Sequence, residues 1–352
     1  MTTHKKTADL GGLIGRFGLW TNGHDELFSD AMSRCDKLVL MVGSSNRPRL
    51  QRTPWTYEER AGVIASAITD KHGSAILDRV KIEPLPDRLY AHNDWLREVQ
   101  HVMLRHTDDF VDQSIGLFGH RRDHTSAYLN DFPGWLDMSV DHPFAGDISA
   151  TKVRDAYFQP DPADLSSWFP EVMSGAAVDF LYKFRDTDAF TDVRLDKQAV
   201  IEYGAKYGRG PFQTVDAVVV RSGSILMVKR SKRPGKGLWA LPGGFFADAD
   251  NPNETLYEGA VRETEEETCH LLDINDFVTR DTFDEAHRDE RARIITTAHL
   301  FDEGAGPLPR VEAADDAAEA EYRPLSKIRA RETYGDHAFI IPKMLKNLKE
   351  RA

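Results

Sequence analysis

Apolar and polar positions alternate along the first half of the chain in blocks of strand length and helix length. Short apolar runs predict buried strands, and the amphipathic stretches between them predict helices. The predicted strands are Leu10–Ile14, Lys37–Val42, Val80–Pro84 and Ser114–Phe118. The predicted helices are Asp25–Ser33, Thr56–Ile68 and Asn93–Arg105. Strands that alternate with helices favour βαβ units, so this half is predicted to be an α/β domain around a parallel sheet.

The pattern changes near Phe184. The polar stretch Arg185–Arg194 predicts a linker, and a predicted helix, Lys197–Tyr207, follows it. From Val215 onward, β-branched apolar runs are separated by turns, with one predicted helix, Asn253–Thr268, among them. This mixed pattern of strands and helix indicates a second domain of a different kind.

The composition agrees with two globular domains and limits the kinds of partner molecule that the chain is expected to bind. The chain has 352 residues, of which 41% are hydrophobic and 29% charged. Lysine and arginine total 45 against 57 aspartates and glutamates, so the net charge is −12. That charge argues against broad affinity for nucleic-acid backbones or anionic membranes. It still leaves room for a local basic pocket that binds a small phosphorylated ligand.

Cysteine usage and the terminal sequence bear on the compartment. Cys35 and Cys269 are the only cysteines, and their wide spacing predicts neither a disulfide framework nor a zinc site. No apolar run approaches the length of about 18 residues that a membrane span needs, and the N-terminus lacks the apolar core of a signal peptide. We therefore expect a cytoplasmic protein without membrane or nucleic-acid partners. Its oligomeric state, a homo-oligomer included, stays open.

A glycine-rich segment joins the first predicted strand to the first predicted helix, with the sequence GRFGLWTNGH at residues 15–24. Glycines let the backbone turn tightly and approach a phosphate, and the start of the next helix favours negative charge. His24 can donate a hydrogen bond to a phosphate oxygen there, or it can be a capping or surface residue. A second segment, DISATKVR at residues 147–154, places hydroxyl groups at a predicted helix start with Arg154 one turn later. That arrangement again suits an anion.

The two segments resemble the (H/T)xGH and ISxTxxR elements of a nucleotidyltransferase superfamily, and read TNGH at 21–24 and ISATKVR at 148–154. Further stretches are similar to the archaeal-type adenylyltransferases of nicotinamide mononucleotide (NMN). They are SSNR at 44–47, TPWTYEER at 53–60, YAHNDWL at 90–96 and GHRRD at 119–123. The resemblance covers roughly residues 11–185, and it implies a Rossmann-like nucleotidyltransferase domain with a parallel sheet.

That family resemblance implies attack of the NMN 5′-phosphate on the α-phosphate of ATP, which yields NAD and pyrophosphate with the help of Mg²⁺. Positioning and charge neutralisation carry such a reaction, and no covalent intermediate is needed. His24 would contact the transferring phosphate with Thr21 beside it, and Arg154 would help to hold the triphosphate. The other substrate-binding residues that the resemblance implies are Gly15, Arg16, Phe17, Arg47, Asn93, Asp94, Trp95, Ser149 and Thr151.

Some of these residues have structural alternatives, and two positions depart from the family pattern. Trp95 would stack on the nicotinamide ring but is equally a candidate core aromatic, and the hydroxyl residues of the ISxTxxR element can simply cap a helix. Gly18-Leu19 stand where archaeal-type members commonly have Gln-Pro, and Thr21 stands where they have His. Threonine can donate a hydrogen bond but carries no charge, so we expect a weaker transferase. The alternative is a degenerate domain that only binds a nucleotide.

Acidic residues cluster on the predicted helix of the second half. Glu263, Glu266 and Glu267 are spaced i, i+3 and i+4, so they share one face of a helix. Three like charges repel one another, and a divalent cation such as Mg²⁺, which takes oxygen ligands, relieves that repulsion. The alternative is a solvated acidic face, which is what most glutamate runs are.

The order of residues around these glutamates resembles the Nudix box, GX5EX7REUXEEXGU. Its members here are Gly244, Glu254, Arg262, Glu263, Glu266 and Glu267. The resemblance implies a Nudix α/β/α sandwich that hydrolyses a nucleoside diphosphate linked to another group, with metal ions that activate a water. The three clustered glutamates would be catalytic and would bind the metal, Mg²⁺ or Mn²⁺. Arg262 would lie at the substrate site and brace the helix by pairing with a glutamate. One of the glutamates, or Glu321, would be the base.

Three departures from the Nudix box concern its turns and not its carboxylates. Nine residues, not five, separate Gly244 from Glu254, an insertion of four in the region Ala247–Asn251. Thr264 replaces the usual aliphatic residue, and Cys269 replaces the glycine that normally relieves a left-handed C-cap. We therefore expect the turn after the helix to differ.

Stretches beside the box are similar to the ADP-ribose-cleaving branch of Nudix enzymes, which yields AMP and ribose 5-phosphate. They are KR at 229–230, PGKGLWALPGGF at 234–245, FDEAHRDERAR at 283–293, IITTA at 294–298, DDA at 315–317 and DH at 336–337. The order of the two domains makes the whole chain similar to bifunctional NMN adenylyltransferase/Nudix hydrolases, so we predict ATP, NMN and ADP-ribose as its ligands. The predicted domains are residues 1–185 and 211–352, with a linker and connecting helix at 186–210. A Nudix-related transcription regulator is the alternative of another class, but the intact glutamates and the negative charge argue against it.

Overall fold

The computed structural model describes residues 7–108, 112–120, 128–140, 150–159, 164–246 and 252–349. The chain divides into two compact units, each with its own sheet and hydrophobic core. Unit 1 comprises residues 1–49, 53–88 and 92–192, and unit 2 comprises residues 50–52, 89–91 and 193–352. Among the described residues, no helix combines the length and the apolarity that a membrane crossing requires.

Unit 1 is built on a parallel sheet whose described strands have the order β3-β2-β1-β4-β5. The strands are β1 Ala8–Gly15, β2 Cys35–Val42, β3 Val80–Pro84, β4 Ile115–Phe118 and β5 Leu136–Asp137. The first four lie where the apolar runs predict them, because a parallel strand covered on both faces is apolar throughout. In β2, for example, every side chain from Leu38 to Val42 is fully buried. The predicted Rossmann-like parallel sheet is confirmed.

Helices connect and follow these strands. Those described in unit 1 are α1 Asn22–Met32, α2 Tyr57–His72, α3 His92–Leu104, α4 Ala150–Tyr157, α5 Phe169–Val172 and α6 Gly175–Arg185. Both α1 and α2 begin with a capping box, in which the N-cap threonine and the third helical residue bond to each other's backbone N–H. The pairs are Thr21 with His24 and Thr56 with Glu59. Local sequence therefore decides where these two helices begin.

The polar stretch Arg185–Arg194, which the sequence predicts to be a linker, is mostly helical. A long helix, α7 (Asp188–Tyr207), occupies most of it and includes the predicted helix further along. The Phe190 ring packs against Tyr157 and Phe158, with ring centroids 5.1 and 5.5 Å apart. The sequence pattern did not predict this helix, because most of its side chains are polar. A few buried apolar side chains stabilise it.

Unit 2 contains a mixed sheet. Its described strands follow the main order β10-β11-β6-β7-β12, with β8 beside β7 and β9 beside β6. Strands β6 and β11 are parallel, and the other pairs are antiparallel. The strands are β6 Phe212–Arg221, β7 Ser224–Arg230, β8 Trp239–Ala240, β9 Gly243–Phe245, β10 Phe277–Phe283, β11 Ile294–Asp302 and β12 Ala317–Pro324.

Helices cover both faces of this second sheet. They are α8 Leu256–Thr268 and α9 His337–Lys349. Along β6, Ala217 and Val219 belong to the apolar cluster against which α8 packs, whereas Val218 and Val220 belong to the cluster that contains residues of α9. Successive residues of a strand point to opposite faces, so one helix lies on each side of the sheet. The predicted Nudix α/β/α sandwich is confirmed.

Candidate functional site

The first candidate site lies at the carboxyl edge of the parallel sheet in unit 1. β1 has β2 on one side and β4 on the other, and open α/β sheets bind ligands beside such a reversal of strand order. The Gly43 N–H donates to the Gly15 carbonyl oxygen (2.8 Å), so the loops after β1 and β2 start side by side. A Cβ atom at Gly15 would lie 2.8 Å from the Phe17 ring, and Phe17 itself has a φ of 42°. The chain therefore turns tightly directly after β1.

Thr21 and His24 are joined by the capping box that starts α1. The Thr21 backbone N–H donates to His24 Nδ1 (3.1 Å), and the Thr21 hydroxyl lies 3.0 Å from the same nitrogen. The His24 N–H in turn donates to the Thr21 hydroxyl oxygen (3.4 Å). An Nδ1 that accepts from a backbone N–H is unprotonated in the neutral ring, so the proton is on Nε2. Capping and hydrogen-bond donation therefore use different ring nitrogens of His24.

Thr21, one of the positions that depart from the transferase pattern, bonds to His24, and neighbouring aromatic rings pack against the imidazole. Leu19 and Trp20 are 2% and 1% exposed, and so belong to the core. The rings of Trp20 and Phe17 contact the His24 ring at centroid distances of 5.7 and 5.3 Å. Thr21 is the N-cap residue that orients the imidazole. Thr21 thus positions the histidine, and the histidine itself is retained.

Arg16 and Arg47 lie on the neighbouring loops after β1 and β2. Arg16 is exposed, and the Arg47 guanidinium lies 3.8 Å from the Asp87 carboxylate. Asp87 also accepts from the Ser44 hydroxyl (3.1 Å), and its backbone bonds to the side chain of Asn46 in both directions. Asp87 thereby fixes the loop after β2, a role that sequence reasoning missed because the two segments are about forty residues apart.

Arg60 is a second residue at this edge that sequence reasoning missed. Its guanidinium is buried and donates to the carbonyl oxygens of Arg16 and Gly43, so it joins the loops after β1 and β2. The amphipathic pattern of α2 could have identified Arg60 from the sequence. Arg60 falls on the buried face of α2, whose other buried residues are apolar.

Asn93, Asp94 and Trp95 lie in the first turn of α3. Asn93 is exposed, and Asp94 is paired with Arg97 (2.5 Å). Trp95 packs against the apolar core of unit 1, and its ring meets the Tyr128 ring at a centroid distance of 5.8 Å. Trp95 is only partly buried, so its core packing leaves part of the ring accessible to a ligand.

Thr151 and Arg154 lie on α4, whereas Ser149 lies outside the described residues. Val153 and Tyr157 of the same helix are buried, and Thr151 and Arg154, three residues apart, share another face. Thr151 is exposed and Arg154 is partly buried. The helix thus presents a hydroxyl and a guanidinium together, as anion binding requires.

The second candidate site lies in unit 2, where β9 passes α8. A Cβ atom at Gly244 would lie 2.5 Å from Glu263 Oε2, so only glycine allows this approach of backbone and carboxylate. The Gly243 N–H donates to Glu267 Oε2 (3.0 Å). The glycine pair therefore places the backbone of β9 directly against two of the three clustered glutamates.

Arg262 lies at the centre of a group of carboxylates. Its guanidinium pairs with Glu254 (2.7 Å), Glu263 (3.0 Å) and Glu266 (2.8 Å), and it donates to the Phe245 carbonyl oxygen (3.0 Å). Its hydrogen bonds to Glu254 raise the pKa of Arg262 above its usual value. Since Glu254 is buried and precedes α8, Arg262 ties that segment to the helix.

Two of the clustered glutamates have raised pKa values. Burial raises the pKa of Glu263 to about 7 and that of Glu267 to about 8, and neighbouring carboxylates add to both shifts. Glu266, on the same helix face, is about half exposed. Desolvation penalises the charged form of a carboxyl group, and nearby carboxylates penalise it further. The site therefore favours the arrival of a cation.

The chemistry of this donor set fits a divalent metal, because Mg²⁺ and Mn²⁺ prefer carboxylate oxygens. Within the described residues, however, no three acidic, histidine or cysteine side chains already surround a point where a metal would bind. Arg262 engages Glu263 and Glu266 instead, so a cation has to compete with it. Glu321, the outer candidate for the base, is exposed on β12 and pairs with Arg323 (2.9 Å).

The substituted positions of the Nudix box are accommodated without loss of the helix. Thr264 is fully buried, but its hydroxyl donates to the Ala260 carbonyl oxygen (2.7 Å). Cys269 is the C-cap with a φ of 53°, and its N–H donates to the Glu265 carbonyl oxygen (2.8 Å). The turn thus keeps the left-handed geometry that glycine usually provides, contrary to the expectation from the sequence. The inserted region, residues 247–251, lies outside the described residues.

Asp216 is a buried acid beside the glycine pair that sequence reasoning missed. It lies opposite Gly243 in the pairing of β6 with β9, and it accepts from the Thr296 hydroxyl (2.7 Å). Arg288 lies 3.6 Å from Asp216 and makes a closer buried pair with Asp336 (2.9 Å). The one acidic residue of β6, directly before the apolar run of residues 217–220, could have identified Asp216 from the sequence.

Two family descriptions match the chain, one for each candidate site. The Cytidylyltransferase-like family matches residues 13–156, which include the loops after β1 and β2 and most of the unit 1 sheet. The NUDIX domain family matches residues 210–344, which include β9 and α8.

Solved structures from Francisella tularensis are similar over almost the whole chain. One is the crystal structure of a bifunctional NMN adenylyltransferase/ADP ribose pyrophosphatase, which is 30% identical with a TM-score of 0.86 and covers 97% of this chain and 99% of that one. Another, of such a protein complexed with AMP and a manganese ion, has a TM-score of 0.84 at the same identity and coverage. The similarity therefore extends over both units together.

Curated relatives match the two halves separately. A nicotinamide/nicotinic acid mononucleotide adenylyltransferase from Acinetobacter baylyi is 24% identical over 186 residues, which cover 53% of this chain and 92% of that protein. An ADP-ribose pyrophosphatase from Methanocaldococcus jannaschii is 34% identical over 118 residues, which cover 34% of this chain. That match spans 64% of the length of the archaeal protein, less than two thirds of it.

Proposed function

Because the chain belongs to the family of bifunctional NMN adenylyltransferase/ADP-ribose pyrophosphatases, we propose that each of its two sites carries out one of the two reactions. The site at the parallel sheet transfers the adenylyl group of ATP to NMN and yields NAD and pyrophosphate. The site at α8 hydrolyses ADP-ribose to AMP and ribose 5-phosphate. We assign the first reaction to residues 1–185 and the second to residues 211–352, with residues 186–210 connecting them.

His24 carries the central role in the proposed adenylyl transfer. Negative charge grows on the oxygens of the α-phosphate as the NMN phosphate attacks and the pyrophosphate leaves. Thr21 holds Nδ1 of His24, and we assign the stabilisation of that charge to its Nε2–H. No proton has to be transferred to His24, so a neutral imidazole suffices. Thr21 acts as a positioning residue, which explains how threonine can replace histidine at the first position of the motif.

The remaining residues of the first site hold the substrates in line. Arg16, Arg47 and Arg154 bind the triphosphate, and Ser149 and Thr151 add hydroxyl donors. Gly15 and Phe17 shape the turn that lets the backbone approach the phosphates. The nicotinamide end of NMN lies at the start of α3, against residues Asn93, Asp94 and Trp95. Such positioning lowers the barrier mainly by removing the entropic cost of aligning two substrates.

The observation that best supports the transferase activity is the hydrogen-bonded pair of Thr21 and His24, which follows the tight turn after β1. Incubation of the purified chain with NMN, ATP and Mg²⁺ tests it, and we expect NAD and pyrophosphate in equal amounts. The alternative is a degenerate first domain that only binds a nucleotide, which the Thr21 and Gly18-Leu19 substitutions favour. Binding of ATP without any NAD at high enzyme concentration would establish that alternative.

Carboxylates carry the proposed hydrolysis in unit 2. Glu263, Glu266 and Glu267 would hold Mg²⁺ or Mn²⁺, which polarises the pyrophosphate and activates a water when bound. The Gly243 N–H fixes the orientation of Glu267. Arg262 braces the segment before α8 through Glu254 and would contact the substrate phosphates once the glutamates bind metal. One of the three glutamates, or Glu321, accepts the proton of the attacking water.

The observation that best supports the hydrolase activity is the pair of partly buried carboxylates, Glu263 and Glu267, packed against Gly244 and Gly243. The test is the release of AMP from ADP-ribose in the presence of Mg²⁺ and, separately, Mn²⁺, with EDTA as the blank. Ribose 5-phosphate has to appear in the same amount as AMP. A chain that leaves ADP-ribose intact with either metal would not be a pyrophosphatase of this substrate.

We also propose the setting in which these reactions occur. The two widely separated cysteines, one buried and one exposed, agree with a reducing cytoplasm. The partners are the nucleotides ATP, NMN and ADP-ribose, and the net charge of −12 opposes nucleic-acid binding. A homo-oligomer stays open, and sedimentation of the purified chain decides it.

A further inference from the structure

Arg60 joins three segments of unit 1 at the carboxyl edge of the parallel sheet. It lies in the first turn of α2 and is 5% exposed. One terminal nitrogen donates to the carbonyl oxygens of Arg16 (2.5 Å) and Gly43 (2.8 Å), the other to that of Ser44 (3.3 Å), and Nε to that of Thr56 (3.2 Å). These carbonyls belong to the loop after β1, the loop after β2 and the N-cap of α2. One side chain therefore fixes all three segments.

The guanidinium of Arg60 is buried as a cation among carbonyl dipoles. Each hydrogen bond described for it ends on a backbone oxygen, and Asp87, the acid whose charge most stabilises it, is paired with Arg47 instead. Burial lowers the pKa of Arg60 to about 10, so it stays protonated at neutral pH. Carbonyl oxygens satisfy its donors but do not cancel its charge. An anion bound at this edge experiences that charge.

We propose that Arg60 is a positioning residue for adenylyl transfer: it holds the loops that carry Arg16 and Arg47 in one arrangement, so that both reach the triphosphate of ATP. This inference rests on the function proposed for unit 1. The planar fork of arginine has five N–H donors and reaches carbonyls in several directions, which the three donors of a lysine ammonium cannot reproduce. Small displacements of such binding groups cost catalysis steeply, on the order of 100-fold for about 1 Å.

Arg60→Lys in the full chain tests the proposal, because it keeps the charge and removes the bridge. We expect kcat/KM for ATP in NAD formation to fall about 10- to 100-fold, mainly through a higher KM for ATP. Hydrolysis of ADP-ribose by the same preparation should stay unchanged. Arg60→Gln, which removes the charge as well, should lower kcat/KM by about a further tenfold.

Arg79→Lys is the matched control within unit 1. Arg79 also bridges backbone carbonyls, those of Met32 (3.4 Å), Cys35 (2.8 Å) and Asp36 (2.7 Å), but it does so at the amino end of β2. We expect Arg79→Lys to lower the unfolding temperature without changing KM for ATP or kcat. A purely structural Arg60 would give the two lysine variants the same kinetic profile.

The outcomes separate this inference from the proposed function. A wild-type chain that forms no NAD overturns the proposed function, and this inference falls with it. If the wild type forms NAD and Arg60→Lys stays within twofold of it in both kcat and KM for ATP, only the positioning role is overturned. The positioning role is also overturned if the Arg60 variants lose NAD formation and ADP-ribose hydrolysis together, because the loss of both activities indicates general unfolding.

Discussion

The proposed phosphate site of unit 1 is lined by cations of the protein, whereas that of unit 2 is lined by carboxylates. At the sheet edge of unit 1, Arg16, Arg47 and the buried Arg60 lie on or against adjacent loops. At α8 of unit 2, burial raises the pKa values of Glu263 and Glu267. A protein can therefore bind phosphates either with its own cations or with carboxylates, provided that the carboxylates hold a metal ion that supplies the positive charge.

The two sites also differ in what holds them together. In unit 1, backbone carbonyls surround the arginine that joins the loops, so the site has its positive charge before a ligand arrives. In unit 2, Arg262 links Glu254, Glu263 and Glu266 and takes up carboxylate oxygens that a metal would need. The proposed first site is thus already arranged to bind an anion. In the proposed second site, a metal ion has to displace Arg262 from the glutamates before it can bind.

The largest expected effect is on the acidic site. Glu266→Gln keeps the shape of the side chain but removes a metal-binding charge, so ADP-ribose hydrolysis should fall by on the order of 100- to 1,000-fold, as for other preorganised electrostatic groups. NAD formation should stay unchanged, as measured on the same preparation. Glu265→Gln, an exposed neighbour on α8, serves as the control and should keep both activities. Loss of both activities in a folded Glu266→Gln chain would contradict the division into two independent sites.

The reciprocal change is His24→Ala in unit 1. Removal of the Nε2–H donor should lower kcat for NAD formation by about 100-fold and leave ADP-ribose hydrolysis intact. His101→Ala, which removes an exposed imidazole from α3, is the control and should leave NAD formation unchanged. Full NAD formation by His24→Ala would mean that the arginines alone stabilise the transferring phosphate.

The raised carboxyl pKa values in unit 2 predict a pH-dependent effect of metal on stability. In the metal-free chain, the pKa values of Glu263 (about 7) and Glu267 (about 8) exceed the usual carboxyl value, so the folded state binds protons more tightly than the unfolded state. Their contribution to stability is present at low pH and is lost as pH rises through 7 to 8. A bound cation offsets that loss. Mg²⁺ should therefore raise the unfolding temperature more at pH 8.5 than at pH 6.

Calorimetry of the full chain with Mg²⁺ or EDTA at both pH values measures this effect. Glu263→Gln, which removes one of the two carboxylates with a raised pKa, should make the gain in unfolding temperature from Mg²⁺ more alike at the two pH values. An equal gain at pH 6 and pH 8.5 would show that these carboxylates are not the groups that the metal stabilises.

The smallest expected effect concerns the turn after α8. Cys269 has a left-handed backbone, which glycine adopts without the steric cost of a Cβ atom. Cys269→Gly should stabilise the chain by about 0.5–1 kcal/mol, as measured by urea unfolding. Cys269→Ala keeps the Cβ atom and should bring no gain. Equal stability of the two variants would mean that the turn stores no strain, and the activities of both sites should be unaffected in either case.

Much of the fold followed from local patterns, and the exceptions have physical reasons. Strands β1 to β4 were predicted because each is a short apolar run, and α8 because its box residues have helical spacing. The helix over most of Arg185–Arg194 was predicted as a linker, since the contact of Phe190 with Tyr157 and Phe158 joins residues more than thirty positions apart. Asp87, Arg60 and Asp216 were missed as members of the sites because their partners lie on other elements.

The sequence by itself determined which residues we assign to the proposed chemistry: the TNGH and ISATKVR segments, the three glutamates at i, i+3 and i+4, and the glycines before them. Covalent spacing and residue type are enough for that, because capping boxes and helix faces are local. Only the tertiary structure decided how those residues are supported. Arg60 under the two loops and Asp87 behind Arg47 are contacts in three dimensions, whereas the pairing of Arg262 with a glutamate already followed from the sequence. Their effect depends on burial, because a charge removed from water interacts strongly with the few groups that surround it.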